Sequence, residues 1–87
     1  MSLDIEVLKK KIIYQSSYRG TKEMDILLRS FVKYYIDKLS NKELEDLLDL
    51  LKVDDDSLYK FKQGIQSNSK VKINRITIIF KNFSLKN

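Results

Sequence analysis

The 87-residue sequence has no cysteine, histidine, proline, tryptophan or alanine, and only two glycines. Without histidine or cysteine there is no Ser-His-Asp or Cys-His nucleophile, no zinc finger, no thiol redox centre and no imidazole acid or base. Any chemistry must come from carboxylates, Lys, Arg, Tyr or a partner. No disulfide compensates for the small size, so a reducing, cytoplasmic setting is expected. No apolar run approaches the roughly 18 residues of a membrane-spanning helix. The first six residues include Asp4 and Glu6 and no apolar stretch, so neither a secretory nor a transit leader is expected.

Apolar residues make up 43 % of the chain and charged residues 33 %, which predicts one small domain spanning residues 1–87. A chain of this size buries about 60–65 % of its unfolded surface, and its stability is on the order of 4–13 kcal/mol. There is little room for both a core and a roomy substrate pocket, so the chain is not expected to be an enzyme. Seventeen basic and twelve acidic residues give a net charge of +5, unevenly spread. Residues 1–40 hold eight basic and five acidic groups, residues 41–56 two and seven, and residues 57–87 seven and none. The middle is acidic between basic ends. Lysine, isoleucine and asparagine in place of alanine match an AT-rich codon bias, which weakens any functional reading of the lysines.

Apolar spacing follows the helical period through most of the chain. Ile5, Leu8 and Ile12 form one stripe; Met24, Leu27, Leu28, Phe31 and Tyr35 a second; Leu44, Leu47, Leu48 and Leu51 a third. Ser40 and Glu43 have the spacing of a capping box, so the third helix starts near Asn41. The run Asp54-Asp55-Asp56, followed by Leu58, Phe61 and Ile65 and closed by Gly64, predicts a short fourth helix whose amino end the carboxylates cap. Metal binding by the three acids lacks the spacing of an EF-hand loop. In residues 70–83 the β-branched Val71, Ile73, Ile76, Ile78 and Ile79 favour a strand. A helical stripe of Ile73, Ile76, Phe80 and Phe83 also fits, and no other strand is available for pairing. A fifth helix is expected, and the fold class is all-α, a five-helix bundle.

The segment between the first two helices carries the most information. Gly20 permits a left-handed backbone, Thr21 can cap the next helix, and Glu23 and Asp25 fall in its first turn, where negative charge is favoured. Asp25 can also pair with Arg29 one turn on. Arg19 is one of only three arginines, and its planar five-donor fork suits a carboxylate or a phosphate. Tyr14 and Tyr18 flank it.

The stretch Tyr14-x-Ser16-x-x-Arg19-Gly20-x-x-Glu23-x-Asp25 resembles the Arg-Gly-x-x-Glu-x-Asp signature of the SdhE-type succinate dehydrogenase assembly factors. Leu39-Ser40-x-x-Glu43-Leu44 resembles that family's third-helix start. Asp56-x-Leu58-Tyr59-x-Phe61-x-x-Gly64 is similar to its Asp-x-Leu-x-x-Trp-x-x-Gly stretch, with Phe61 in place of tryptophan. The resemblance implies a small helical bundle that binds the flavoprotein subunit of succinate dehydrogenase or fumarate reductase and promotes covalent attachment of FAD to it. On this reading the chain holds no cofactor tightly and is monomeric when free, and the partner's own histidine bonds to the flavin. Arg19 would project from the Gly20 corner toward the partner, with Glu23 and Asp25 holding the corner or meeting basic groups. Tyr14, Tyr18, Tyr59 and Phe61 would be aromatic anchors. The alternative is a small basic helical nucleic-acid-binding protein, using Lys9-Lys10-Lys11 and the basic last third. Against it stand the acidic middle and the scarcity of Arg, Asn and Gln on any one helix face. Residues 70–83 could also lie on an anionic membrane surface, but their bulky apolar side chains better suit a bundle core.

Overall fold

The computed structural model describes residues 4–17, 19–65 and 71–84. Among these there are five α-helices and no strand: α1 (Ile5–Gln15), α2 (Lys22–Tyr35), α3 (Asn41–Leu51), α4 (Asp55–Lys62) and α5 (Arg75–Asn82). Each begins at a side chain that accepts an otherwise unpaired backbone N–H. Asp4 accepts from Glu6, Thr21 from Met24 and Asp54 from Ser57. Ser40 and Glu43 close the expected capping box at α3. A second box joins Asn74 and Thr77 at α5, and the spacing argument missed it because Thr77 stands where Glu or Gln usually does.

That second box corrects the fifth helix. The expected stripe ran from Ile73, yet the helix starts at Arg75, and Ile73 is 69 % exposed ahead of the cap. Val71 and Ile73, the β-branched residues before Asn74, lie outside any helix or strand, Val71 buried and Ile73 exposed; on α5 only Ile76, Thr77 and Phe80 are buried. The terminator of α4 is as expected: Gly64 has φ +77° and so takes the left-handed conformation that closes the helix.

One apolar cluster joins all five helices. Leu44, Leu47, Leu50 and Leu51 of α3 lie at its centre, and α1 and α5 both pack on that helix. Leu8 and Ile12 come from α1, Leu28, Phe31 and Val32 from α2, and Leu58 from α4. Phe31 meets Phe80 and Phe83 edge to face at 5.4 and 5.1 Å, fixing α2 against α5 with the geometry aromatic rings favour. Two stripe ends fall outside the core: Ile5 is 36 % exposed and Ile65 50 %. The radius of gyration, 12.4 Å, is close to the roughly 12 Å expected for a compact body of this length.

Candidate functional site

Helices α1 and α3 end, and α2 and α4 begin, at one corner of the bundle. Arg19 sits there and links α1, α3 and α4. Its Nη1 donates to the carbonyl of Gln15 at 2.9 Å and to that of Leu51 at 2.7 Å, its Nη2 to Val53 at 2.8 Å, and its Nε to Asp55 Oδ1 at 2.8 Å. The cation thus satisfies terminal carbonyls of α1 and α3, where the helix dipole is negative, while its carboxylate partner opens α4, where the dipole is positive. The other oxygen of Asp55 accepts from the Gly20 N–H at 2.5 Å, one residue before the cap of α2.

This geometry corrects three expectations. Arg19 does not project: its side chain is 10 % exposed, and that of Asp55 is 16 %. Gly20 is not in the left-handed region, since Gly64 is the glycine with positive φ. What Gly20 supplies is close approach, because a Cβ there would lie 3.0 Å from Asp55 Oδ2. Asp55 is not simply one of three capping acids. Asp54 is the cap, and Asp55 is the counter-ion of the signature arginine. Sequence spacing hid this because the two lie 36 residues apart. A signal was present in retrospect: a run of three acids contains more carboxylate than one helix start can use.

Tyr14, Glu23 and Tyr59 divide between two concavities that share Asp55. A recess of about 380 Å³ is bordered by Tyr14, Arg19 and Gly20. A groove of about 660 Å³ between α2, α4 and the chain after α5 is bordered by Glu23 and Tyr59. Tyr14 and Tyr59 are 70 % and 54 % exposed, as docking anchors must be. Phe61 is partly buried and packs against the core, with the Lys81 ammonium 5.7 Å from its ring centre. Asp25 pairs with Arg29 at 3.5 Å, the expected one-turn contact. Its other oxygen, Oδ1, is buried without a hydrogen-bond partner. Tyr18 lies outside the described residues.

Lys62 forms a second helix-end lock. Its ammonium donates to the carbonyls of Phe80, Lys81 and Phe83, closing α5 and tying it to α4. Burial pushes the Lys62 pKa down from its ordinary value.

A profile of the family described as flavinator of succinate dehydrogenase matches residues 10–84, which span every residue of both concavities. The chain belongs to this family. Succinate dehydrogenase assembly factor 2, mitochondrial, of Dictyostelium discoideum is 41 % identical over 58 residues, 67 % of this chain and 41 % of that protein. The FAD assembly factor SdhE of Wigglesworthia glossinidia brevipalpis is 39 % identical over 56 residues, 64 % of this chain and 67 % of its own. The mitochondrial factor of Komagataella phaffii is 39 % identical over 54 residues, 62 % of this chain and 28 % of its own. The match therefore covers well under half of these two mitochondrial relatives and two thirds of the bacterial one. No solved structure matches the chain.

Proposed function

We propose that this chain is an assembly factor that binds the flavoprotein subunit of succinate dehydrogenase, or of the related fumarate reductase, and promotes covalent attachment of FAD to it. The observation that carries this reading is the family match over residues 10–84, within which the signature residues Arg19 and Gly20 are joined to Asp55 in one rigid corner. FAD is the partner's cofactor. The factor acts by binding and holds no cofactor tightly itself; these 87 residues contain no histidine, so the imidazole that bonds to the flavin comes from the partner. The protein is monomeric when free and cytoplasmic in this reading, alongside the mitochondrial setting named for the eukaryotic relatives.

The structure engages part of the positive charge on which the nucleic-acid alternative rests. Lys9 pairs with Asp37 at 2.9 Å, Lys42 with Asp46 at 2.8 Å and Lys60 with Asp56 at 3.2 Å. Arg19 and Lys62 are turned onto carbonyls, and Arg75 is held by Glu43. A phosphate footprint needs cations free to replace counterions along one face, and these cations are instead engaged internally.

The test is to produce the flavoprotein subunit with and without this chain and to score covalent flavin by fluorescence in a denaturing gel. Fluorescence should rise with the chain present, and the two proteins should co-purify. Complete flavinylation in its absence would remove the basis for the assignment.

A further inference from the structure

One stripe of α2 stays outside the core and beyond the Arg-Gly signature. Ile26, Ser30 and Tyr34 follow one another at four-residue steps with Arg29 and Lys33 beside them, so they share a face of the helix. Ile26 and Tyr34 are about half exposed, and Arg29 and Lys33 are exposed. A concavity of about 540 Å³ opens from this stripe toward α1 and another of about 750 Å³ toward α5; Ser30 borders both. Ile13 of α1 stands across the first and Ile78 of α5 across the second, each half exposed. Three isoleucines and a tyrosine therefore lie on one continuous face rather than scattered singly. The core takes Ile76 and Phe80 from α5 and leaves Ile78 outside.

The free charge on this face is positive. Arg29 meets Asp25 through one nitrogen at 3.5 Å, and its side chain stays exposed. Lys33 has no ionic partner among the described residues. The Lys38 ammonium lies 3.6 Å from the centre of the Tyr34 ring. Asp37, the acid that borders the α1 concavity, is already paired with Lys9 at 2.9 Å, and residues 71–84 contain no acid. Exposed aliphatic groups among uncompensated cations match an anionic lipid surface. The aliphatic groups enter the acyl boundary, the tyrosine ring sits at the headgroups, and the long basic side chains reach the phosphates. A nucleic-acid backbone would use the cations but leave the isoleucines in water, and the same face of a second copy would set like charge against like.

We propose that this α1–α2–α5 face binds an anionic lipid bilayer peripherally, Ile13, Ile26 and Ile78 entering the interface while Arg29, Lys33 and Lys38 meet lipid phosphates. No helix among the described residues is long and apolar enough to cross the membrane, so the contact lies on the surface. These side chains border neither the Arg19 recess nor the Glu23 groove, and the proposal stands independently of the flavoprotein reading.

The experiment sediments the purified chain with vesicles of phosphatidylcholine alone and of equal parts phosphatidylcholine and phosphatidylglycerol, with a thermal melt of every variant. The chain should pellet with the anionic vesicles and not with the neutral ones, and binding should weaken as salt rises. Lys33→Glu turns an attraction into a repulsion and should weaken binding about tenfold. The double variant Ile26→Ser, Tyr34→Ser should lose a similar amount. Val7→Ser, at an equally exposed position of α1 that borders neither concavity, should bind as the parent does. All should melt like the parent, since these side chains lie outside the core. Tyr34→Trp gives a chain without tryptophan one indole, whose emission should shift to the blue on anionic vesicles. Failure to pellet with anionic vesicles overturns the proposal and leaves the face to an acidic protein segment. Full binding by the folded double variant, or an equal loss in Val7→Ser, overturns insertion of this face. Either failure leaves the flavoprotein reading standing, because no flavin is scored.

Discussion

Arg19 is a structural residue of an unusual sort, since one side chain closes two helices and opens a third through its partner. Lysine cannot replace it: a single ammonium has neither the planar fork nor the reach to serve three carbonyls and a carboxylate together. Arg19→Ala leaves Asp55 without its counter-ion and three carbonyls without their donor; loss of one member of a fully buried pair costs about 3–5 kcal/mol, an upper bound for this part-buried one. That is a large share of what an 87-residue domain possesses. Arg19→Ala should therefore melt well below the parent, and Arg19→Lys should recover only part of the difference, both read by thermal unfolding. A parental melt for Arg19→Ala would show that the corner does not hold the bundle. Loss of flavinylation in an Arg19 variant is consequently ambiguous without the melt.

At the scale of the element, the helices are short and depend on their ends. Helix α5 has eight residues, several of them β-branched, and too little intrinsic propensity to persist alone. It is held by the Asn74–Thr77 box at one end and the Lys62 ammonium at the other. Helix α3 is tied to α5 through Glu43, which accepts from the Ser40 backbone N–H and from Arg75. These contacts, the Ser40 backbone bond first and Arg75 next, lower the Glu43 pKa from its ordinary value of 4.5. A carboxylate with a depressed folded pKa stabilises the fold above its unfolded value and loses that contribution as pH falls through the folded one. Urea midpoints should therefore fall as pH drops below about 4.5. Glu43→Gln should start lower at neutral pH and decline less steeply, and equal slopes would mean that Glu43 has no part in the linkage.

For the whole molecule, the net charge of +5 is a poor guide to partners, because the bundle folds several of its cations, Arg19, Lys62 and Arg75 among them, onto its own carboxylates and helix ends. Binding to a random DNA duplex should be weak and should vanish as salt rises toward physiological strength, measured by fluorescence anisotropy. Tight binding with a steep salt slope would restore the nucleic-acid alternative. Four of the five helices were legible from apolar period and caps, as Leu44, Leu47 and Leu51 with Ser40 show, because burial of one helix face constrains local spacing directly. The fifth was misplaced at its start, because β-branched residues before Asn74 carry the same apolar signal whether helical or extended. Of the candidate site, Glu23, Tyr14 and Tyr59 lie exposed along the two concavities, whereas Arg19 turns inward and Phe61 is partly buried against the core.

The amino-acid sequence by itself determined the helix order, most of the caps, the exclusion of histidine and cysteine chemistry, and the signature that marks the family. Those properties depend on residue identity and on spacing of a few positions. Only the tertiary structure decided what the signature does, since the partner of Arg19 and Gly20 is Asp55, more than thirty residues away. The same applies to Glu23. Among the described residues it has no ionic partner, because Asp55, Asp56 and Lys62 along the same groove are engaged elsewhere in the folded arrangement.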